Sequence, residues 1–179
     1  MSDKWKKIIF ILVIVAIGVF VFYKLVGKNY IKHTYSNPGK NFSVTLDSYL
    51  SMKQSASTDD DLSNDFLDLV NGNSSISIQR YPISEATKSV TLAQFKKLLE
   101  STRNEHDKIK TDKADITINN NRIQESVIEY LSMTQYDTQY SGYVYYFKTD
   151  EAFYMALLTS SNPYVIEHYK GFVDDITFQ

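Results

Sequence analysis

Three histidines are available for acid–base or metal chemistry: His33, His106 and His168. None has a partner at metal-ligand spacing, and no His-Glu-x-x-His pair occurs. His168, between Glu167 and Tyr169, reads as surface or rim structure. Serine is abundant, but no Gly-x-Ser-x-Gly elbow lifts one out as a nucleophile. A chain with six glycines holds no Gly-rich phosphate loop. The absence of cysteine excludes disulfides, thiol catalysis, thiolate metal sites and a lipidated N-terminal cysteine. The run Asp59-Asp60-Asp61 clusters oxygen ligands as a calcium loop does. The EF-hand spacing, with its Gly and closing Glu, is missing, so a solvated loop is expected there. Carboxylates are plentiful, yet spacing alone pairs no two of them for a two-carboxylate mechanism. No catalytic residue, metal ligand or cofactor is therefore assigned.

Tyrosine is the residue type with a pattern. Of 14 tyrosines, Tyr130, Tyr136, Tyr140, Tyr143, Tyr145 and Tyr146 fall within residues 130–146, and Thr-Gln-Tyr repeats around a hairpin tip. Tyrosine offers a large contact area with few rotors to freeze and a hydroxyl suited to a wet interface. One reading makes Tyr136, Tyr140 and Tyr143 a recognition surface for another envelope protein or a glycan. The other is β-propensity and cross-strand pairing, with Tyr143 and Tyr145 on one strand face as core.

The elements that would position these residues follow from hydrophobic period and punctuation. Phe42–Leu46 alternates apolar and polar, as a half-buried strand does. Asp65–Val70 and Ser75–Tyr81 read as strands joined by Asn71-Gly72-Asn73, a turn signal, and Pro82 ends the second. Thr91 and Gln94 form a capping box and Val90 and Phe95 a hydrophobic staple for a helix over 91–105. Its apolar stripe is Leu92, Phe95, Leu98 and Leu99. Ala114–Ile118 reads as a strand, 119–121 as a turn, and Arg122–Met133 as the returning strand. The alternation of that strand slips near Ser126, where a bulge is expected. Gly142–Lys148 and Ala152–Thr159 form a further hairpin. Asn162 caps a last helix with Pro163 at its first position, buried through Ile166, Tyr169, Val173 and Ile176. Strands joined by tight turns are antiparallel, and interrupting helices cover the sheet. The expected class is α+β, an antiparallel sheet of about six or seven strands with helices packed on it.

This order resembles the PsbP-like α/β/α sandwich family, which includes Mog-type proteins and many small anchored bacterial proteins. The matching segments are FSVTL (42–46), ISIQRY (76–81), TLAQFKKLLE (91–100), ITINNNRIQES (116–126), GYVYYFKTDEAFYMALLTS (142–160) and FVDDITF (172–178). Asp47 and Tyr49 stand where Pro and Trp often follow the first strand. The Asn run stands where the central hairpin usually has Gly. The resemblance implies the sandwich fold over roughly residues 42–178 and a binding or assembly role. It carries no shared catalytic residues. Beside the binding or assembly role stand two alternatives: a carrier of a small or apolar ligand in a pocket between sheet and helix, lined by residues such as Phe95, Leu98 and Phe153, and an enzyme of a type no motif here reveals.

The chain's net charge of −2 conceals two parts. Residues 1–33 hold six lysines and one acid, while residues 34–179 hold 13 basic and 20 acidic residues. An acidic domain repels phosphates, so nucleic acid is not an expected partner. Residues 8–23 carry no charge, and with Lys24 snorkelling the apolar run extends to Val26. A helix over 8–26 would be about 28 Å long, enough to cross a bilayer, with Trp5 and Tyr23 at the interfaces. A cleaved signal peptide is the rival, but its shorter apolar core and Ala-x-Ala site are absent. Lysines flank both ends, so the positive-inside count is nearly tied. The basic head before the apolar run favours a cytoplasmic N-terminus. The expectation is a cytoplasmic head and transmembrane anchor at 1–26, a basic linker at 27–41, and an extracytoplasmic domain at 42–179. Its cysteine-free, Ser/Asn/Tyr-rich composition suits the outer face of a Gram-positive cell. The full-length chain is expected to remain with membranes through an alkaline wash, and removal of residues 1–26 to release it; a full-length chain recovered in the wash would dispose of the anchor.

Overall fold

The computed structural model describes residues 31–55, 63–102 and 109–179. Contacts divide the chain into two units, residues 1–33 with 47–51 and residues 34–46 with 52–179. In the first, the Asp47 carboxylate accepts a hydrogen bond from the Tyr49 N–H across a short turn. The second unit carries the core.

In chain order the strands are β1 (Lys32–Ser36), β2 (Phe42–Asp47), β3 (Lys53–Gln54), β4 (Phe66–Asn71), β5 (Ser74–Pro82), β6 (Lys110–Lys113), β7 (Glu125–Gln135), β8 (Thr138–Lys148), β9 (Ala152–Ser160) and β10 (Ile176–Phe178). The helices are α1 (Leu92–Thr102) and α2 (Pro163–Tyr169), with single 3-10 turns at Ser63–Asp65 and Phe172–Asp175. Seven strands form one sheet in the order β3-β4-β5-β9-β8-β7-β6, and β1-β2-β10 form a second. The seven-stranded sheet is antiparallel throughout, as expected of an α+β chain rich in tight turns.

Local signals set most of the junctions. Gly72 turns the β4–β5 hairpin at φ 53°, a conformation open to glycine at little cost. The capping box of α1 is made in full. Thr91 Oγ1 accepts from the Gln94 N–H at 3.3 Å, and Gln94 Oε1 accepts from the Thr91 N–H at 2.9 Å. Asn162 Oδ1 caps α2 through the Tyr164 N–H at 3.0 Å. The β7–β8 turn is Tyr136-Asp137, both at positive φ, 47° and 59°. A two-residue turn between right-twisted strands demands that geometry.

The two faces of the sheet are covered differently. On one, Leu92 and Phe95 of α1 pack on Val144, Tyr146 and Phe153, with Val90 and Leu99 at the margin. On the other, Phe42 of β2 meets Tyr154 edge-on at 5.8 Å, and Phe178 of β10 meets Tyr154 at 5.1 Å. Phe172 meets Tyr145 at 5.3 Å on that same side. Strand β8 is therefore sealed on both sides: Val144, Tyr145, Tyr146 and Phe147 are all buried.

Several expectations change. Leu98 is 63% exposed, because α1 is rolled so that Lys96 rather than Leu98 flanks the buried stripe. Ala114–Ile118 keeps its in-out alternation but is not a strand, since pairing with β7 stops after the Ala114 N–H reaches the Ile128 carbonyl. No bulge interrupts β7 itself, whose register with β8 runs unbroken from Glu125↔Lys148 to Gln135↔Thr138; only at its start does the Gln124 N–H also reach the Lys148 carbonyl, at 2.9 Å. The slip in apolar parity reflects burial instead, with Val127 at the sheet margin and Ile128 buried on the opposite face. Part of the linker, Lys32–Ser36, is strand. The last helix stops at Tyr169, and Val173 and Ile176 are buried from a 3-10 turn and from β10, which pairs with β2. The apolar run 8–26, the acidic run 59–61 and residues 103–105 lie outside the described residues. Among those described, no helix is long and apolar enough to cross a membrane.

One backbone approach is close enough to test. A Cβ built on Gly142 would lie 1.7 Å from the Leu158 carbonyl oxygen in β9, whereas one on Gly171 meets nothing within 4 Å. Gly142→Ala should lower stability by ~3 kcal/mol, the upper range of overpacking, and Gly171→Ala should change it little, as read from urea midpoints. Equal midpoints for the two variants would contradict this packing.

Candidate ligand-binding pocket

Among the described residues helix α1 runs for 11 residues and covers only part of the apolar face beneath it. Leu99 closes the covered region near its C-terminal end. Beyond it the face continues with Met155 and Leu157 of β9, Val144 of β8, and Leu131 and Met133 of β7. With Ile109 and Tyr81 these side chains line a partly open cleft of about 300 Å³. That is the lower end of the range for small-molecule pockets. Leu99, Ile109, Met133, Met155 and Leu157 are only half-buried, so an apolar occupant would remove hydrocarbon from water, at roughly 25 cal/mol per Å².

Among the described residues, the one polar side-chain group lining this cleft is the Tyr81 phenol. Burial, and then proximity to Tyr146, raises its pKa above the usual tyrosine value. It stays protonated across neutral pH and can donate or accept one hydrogen bond. The site can thus solvate an apolar body and orient it by one hydroxyl.

The sequence reading placed such a pocket on Phe95, Leu98 and Phe153. Instead Phe95 and Phe153 stack on each other at 4.8 Å and fill that space, while Leu98 points to solvent. The real lining was readable only as parity: Leu131 with Met133, and Met155 with Leu157. Which parity faced a gap in the helix cover depends on the roll and length of α1.

The three tyrosines singled out from sequence do not converge. Tyr136 sits at the hairpin tip and is 92% exposed. Tyr140 lies opposite Met133 on the α1 side. Tyr143 lies on the other side, edge-on to Tyr130 at 5.5 Å and tilted against Tyr145 at 6.2 Å. Tyr145 and Tyr146 are core, on opposite faces.

Two polar clefts flank the sheet. One, of about 570 Å³, is lined by Lys96, Lys113, Asp115 and Glu129 together with Ser126 and Val127. Lys96 Nζ lies 2.6 Å from Glu100 Oε1 and 2.9 Å from Glu129 Oε1, and 5.6 Å from the Tyr146 ring centroid. Burial disfavours its charge, and the two carboxylates more than offset that, leaving its pKa raised. The other cleft, about 540 Å³, lies beside Asn119–Arg122 and Asp174. There the Asn119 N–H donates to Asp174 Oδ1 at 2.7 Å. His168 packs edge-on to Tyr169 at 4.8 Å, and His106 lies outside the described residues. Among the described residues no three His, Asp or Glu side chains gather as a metal site. No family model matches the chain, and no curated protein is significantly similar to it.

Burial raises the pKa of Tyr145 far above the tyrosine range, with smaller contributions from Tyr143 and Asp174. Burial likewise raises Tyr154, against a partial opposing effect of Arg80. A raised folded-state pKa means the folded chain keeps protons that the unfolded chain releases. That stability is complete below about pH 10 and declines as pH climbs through the raised values. Unfolding midpoints should therefore hold to about pH 9 and then fall, with phenolate absorbance from the buried tyrosines appearing in the unfolding step. Full phenolate absorbance from a still-folded chain would contradict the burial of Tyr145.

Proposed function

We propose that this chain is a membrane-anchored, extracytoplasmic binding domain of a cell-envelope system, in which the cleft beyond α1 takes a small, largely apolar ligand. One observation carries the reading. Among the described residues the cleft is lined by hydrocarbon and thioether side chains with a single neutral phenol, which suits holding an apolar body better than proton transfer or charge stabilisation. The apolar run at 8–26, uncharged from 8 to 23, and the acidic composition of the remainder support an anchored domain facing away from nucleic acid. The element order that resembles PsbP-like proteins supports a binding or assembly role of the same kind. Bilayer lipid is the partner of residues 8–26.

A second reading has its own support. Tyr136 combines near-complete exposure with φ 47°, a conformation uncommon for a bulky residue. An exposed ring held there is what a contact tip for a partner protein or glycan would use, and Tyr136 alone of the three tyrosines is presented at that tip.

A neutral naphthylamine fluorophore added to the full-length protein should brighten saturably, and Leu157→Trp, which fills the cleft, should abolish this without lowering the unfolding midpoint by much. Tyr136→Ala should leave fluorophore binding unchanged. Undiminished brightening in the Leu157→Trp chain would remove the pocket from the function and leave the hairpin tip as the reading to pursue.

A further inference from the structure

Strand β7 has a neighbour along only part of its outer edge. Strand β6 pairs with it from Lys110↔Ser132 to Lys113↔Glu129. One more bond follows, from the Ala114 N–H to the Ile128 carbonyl at 3.0 Å. Beyond it the chain leaves the edge and is tied elsewhere. The Asn119 N–H donates to Asp174, and Asn120 Nδ2 donates to the Ile176 carbonyl at 2.9 Å. The fork so opened is the 570 Å³ cleft, with Asp115 and Ile116 on one wall and Ser126 and Val127 on the other.

Backbone polar groups alternate in direction along an antiparallel strand. The Ile128 carbonyl points to the β6 side, so the N–H and C=O of Ser126, two residues away, point there too. No backbone group among the described residues meets them. A second observation lies in the same fork. Glu129 Oε1 takes the ammonium of Lys96, but Glu129 Oε2 is buried with no hydrogen-bond partner among the described residues. Lys96 is already held by Glu100 and Glu129 and lies near the Tyr146 ring, so it does not serve this second oxygen.

We propose that an extended segment of a partner protein adds to the free edge of β7 at Ser126 and places a basic side chain on Glu129 Oε2. A strand supplies the alternating donor and acceptor that Ser126 presents, which a compact apolar ligand does not. A residue opposite Val127 projects to the face that carries Glu129, one pleat away. The charge agrees, since residues 34–179 carry 13 basic against 20 acidic side chains. This site is separate from the apolar cleft, and neither depends on the other.

The probe is a short capped peptide alternating threonine and valine around a central lysine, followed by fluorescence anisotropy with the full-length protein. Two companions are the same peptide with glutamate for lysine and the lysine peptide with alternate amides N-methylated. The lysine peptide should bind saturably, the glutamate peptide about tenfold or more weakly, as loss of a charged hydrogen bond implies, and the N-methylated one not at all. Ser126→Pro, tolerated at an edge position, should abolish binding, and Glu129→Gln should bring the lysine and glutamate peptides together. Equal binding of the N-methylated peptide would overturn the proposal whether or not Ser126→Pro folds, as would no binding by any of the three. Fluorophore binding in the apolar cleft should be the same in every variant.

Discussion

Burial of β8 on both faces governs this domain. Val144, Tyr145, Tyr146 and Phe147 alternate sides yet are all within 1% of full burial. Burying one large apolar side chain is worth ~1.5–3 kcal/mol, so a strand with such residues on both faces needs a cover on each. One cover is α1. The other is the small sheet with α2 and the turn that follows it. The Tyr145 hydroxyl, which burial would otherwise strand, donates to the Lys170 carbonyl at 2.6 Å. That bond also fastens the chain just after α2 to the sheet.

The two covers are unequal, and the clefts arise from the mismatch. Among the described residues α1 shades only part of a sheet of seven strands, so part of the apolar face beyond Leu99 is left as the pocket. On the outer edge, β6 has four residues against the eleven of β7. The chain after Ala114 is drawn off by Asp174 and Ile176, which belong to the opposite cover. The same packing that completes one face therefore leaves part of the β7 edge without a neighbour.

The roll of α1 decides where charge enters. Its stripe can be centred to bury Leu98 or to tuck Lys96 against the sheet. Burying Lys96 costs desolvation, which the Glu100 and Glu129 carboxylates and the Tyr146 ring offset. Glu129 in turn comes from β7, so this ion pair ties helix, strand edge and cleft together.

Much of the architecture was legible in the residues alone. Gly72 marked a hairpin turn, Thr91 with Gln94 set the helix start, and Asn162 with Pro163 opened the last helix, because these signals act within a few residues of chain. Alternation also identified most of the long central strands, and the tight turns between them the antiparallel class. The same local rules went astray at Ala114–Ile118, at Leu98 and after Tyr169. In each case two placements satisfy local geometry equally, and a distant contact selects one: Asp174 for the first, Glu129 for the second, β2 for the third. The tyrosine cluster belongs here too, since neighbours in sequence on a strand point to opposite faces and cannot form one surface. What a segment is follows from its own backbone and side-chain preferences, whereas which faces remain uncovered depends on how wide a sheet must be closed by how short a helix.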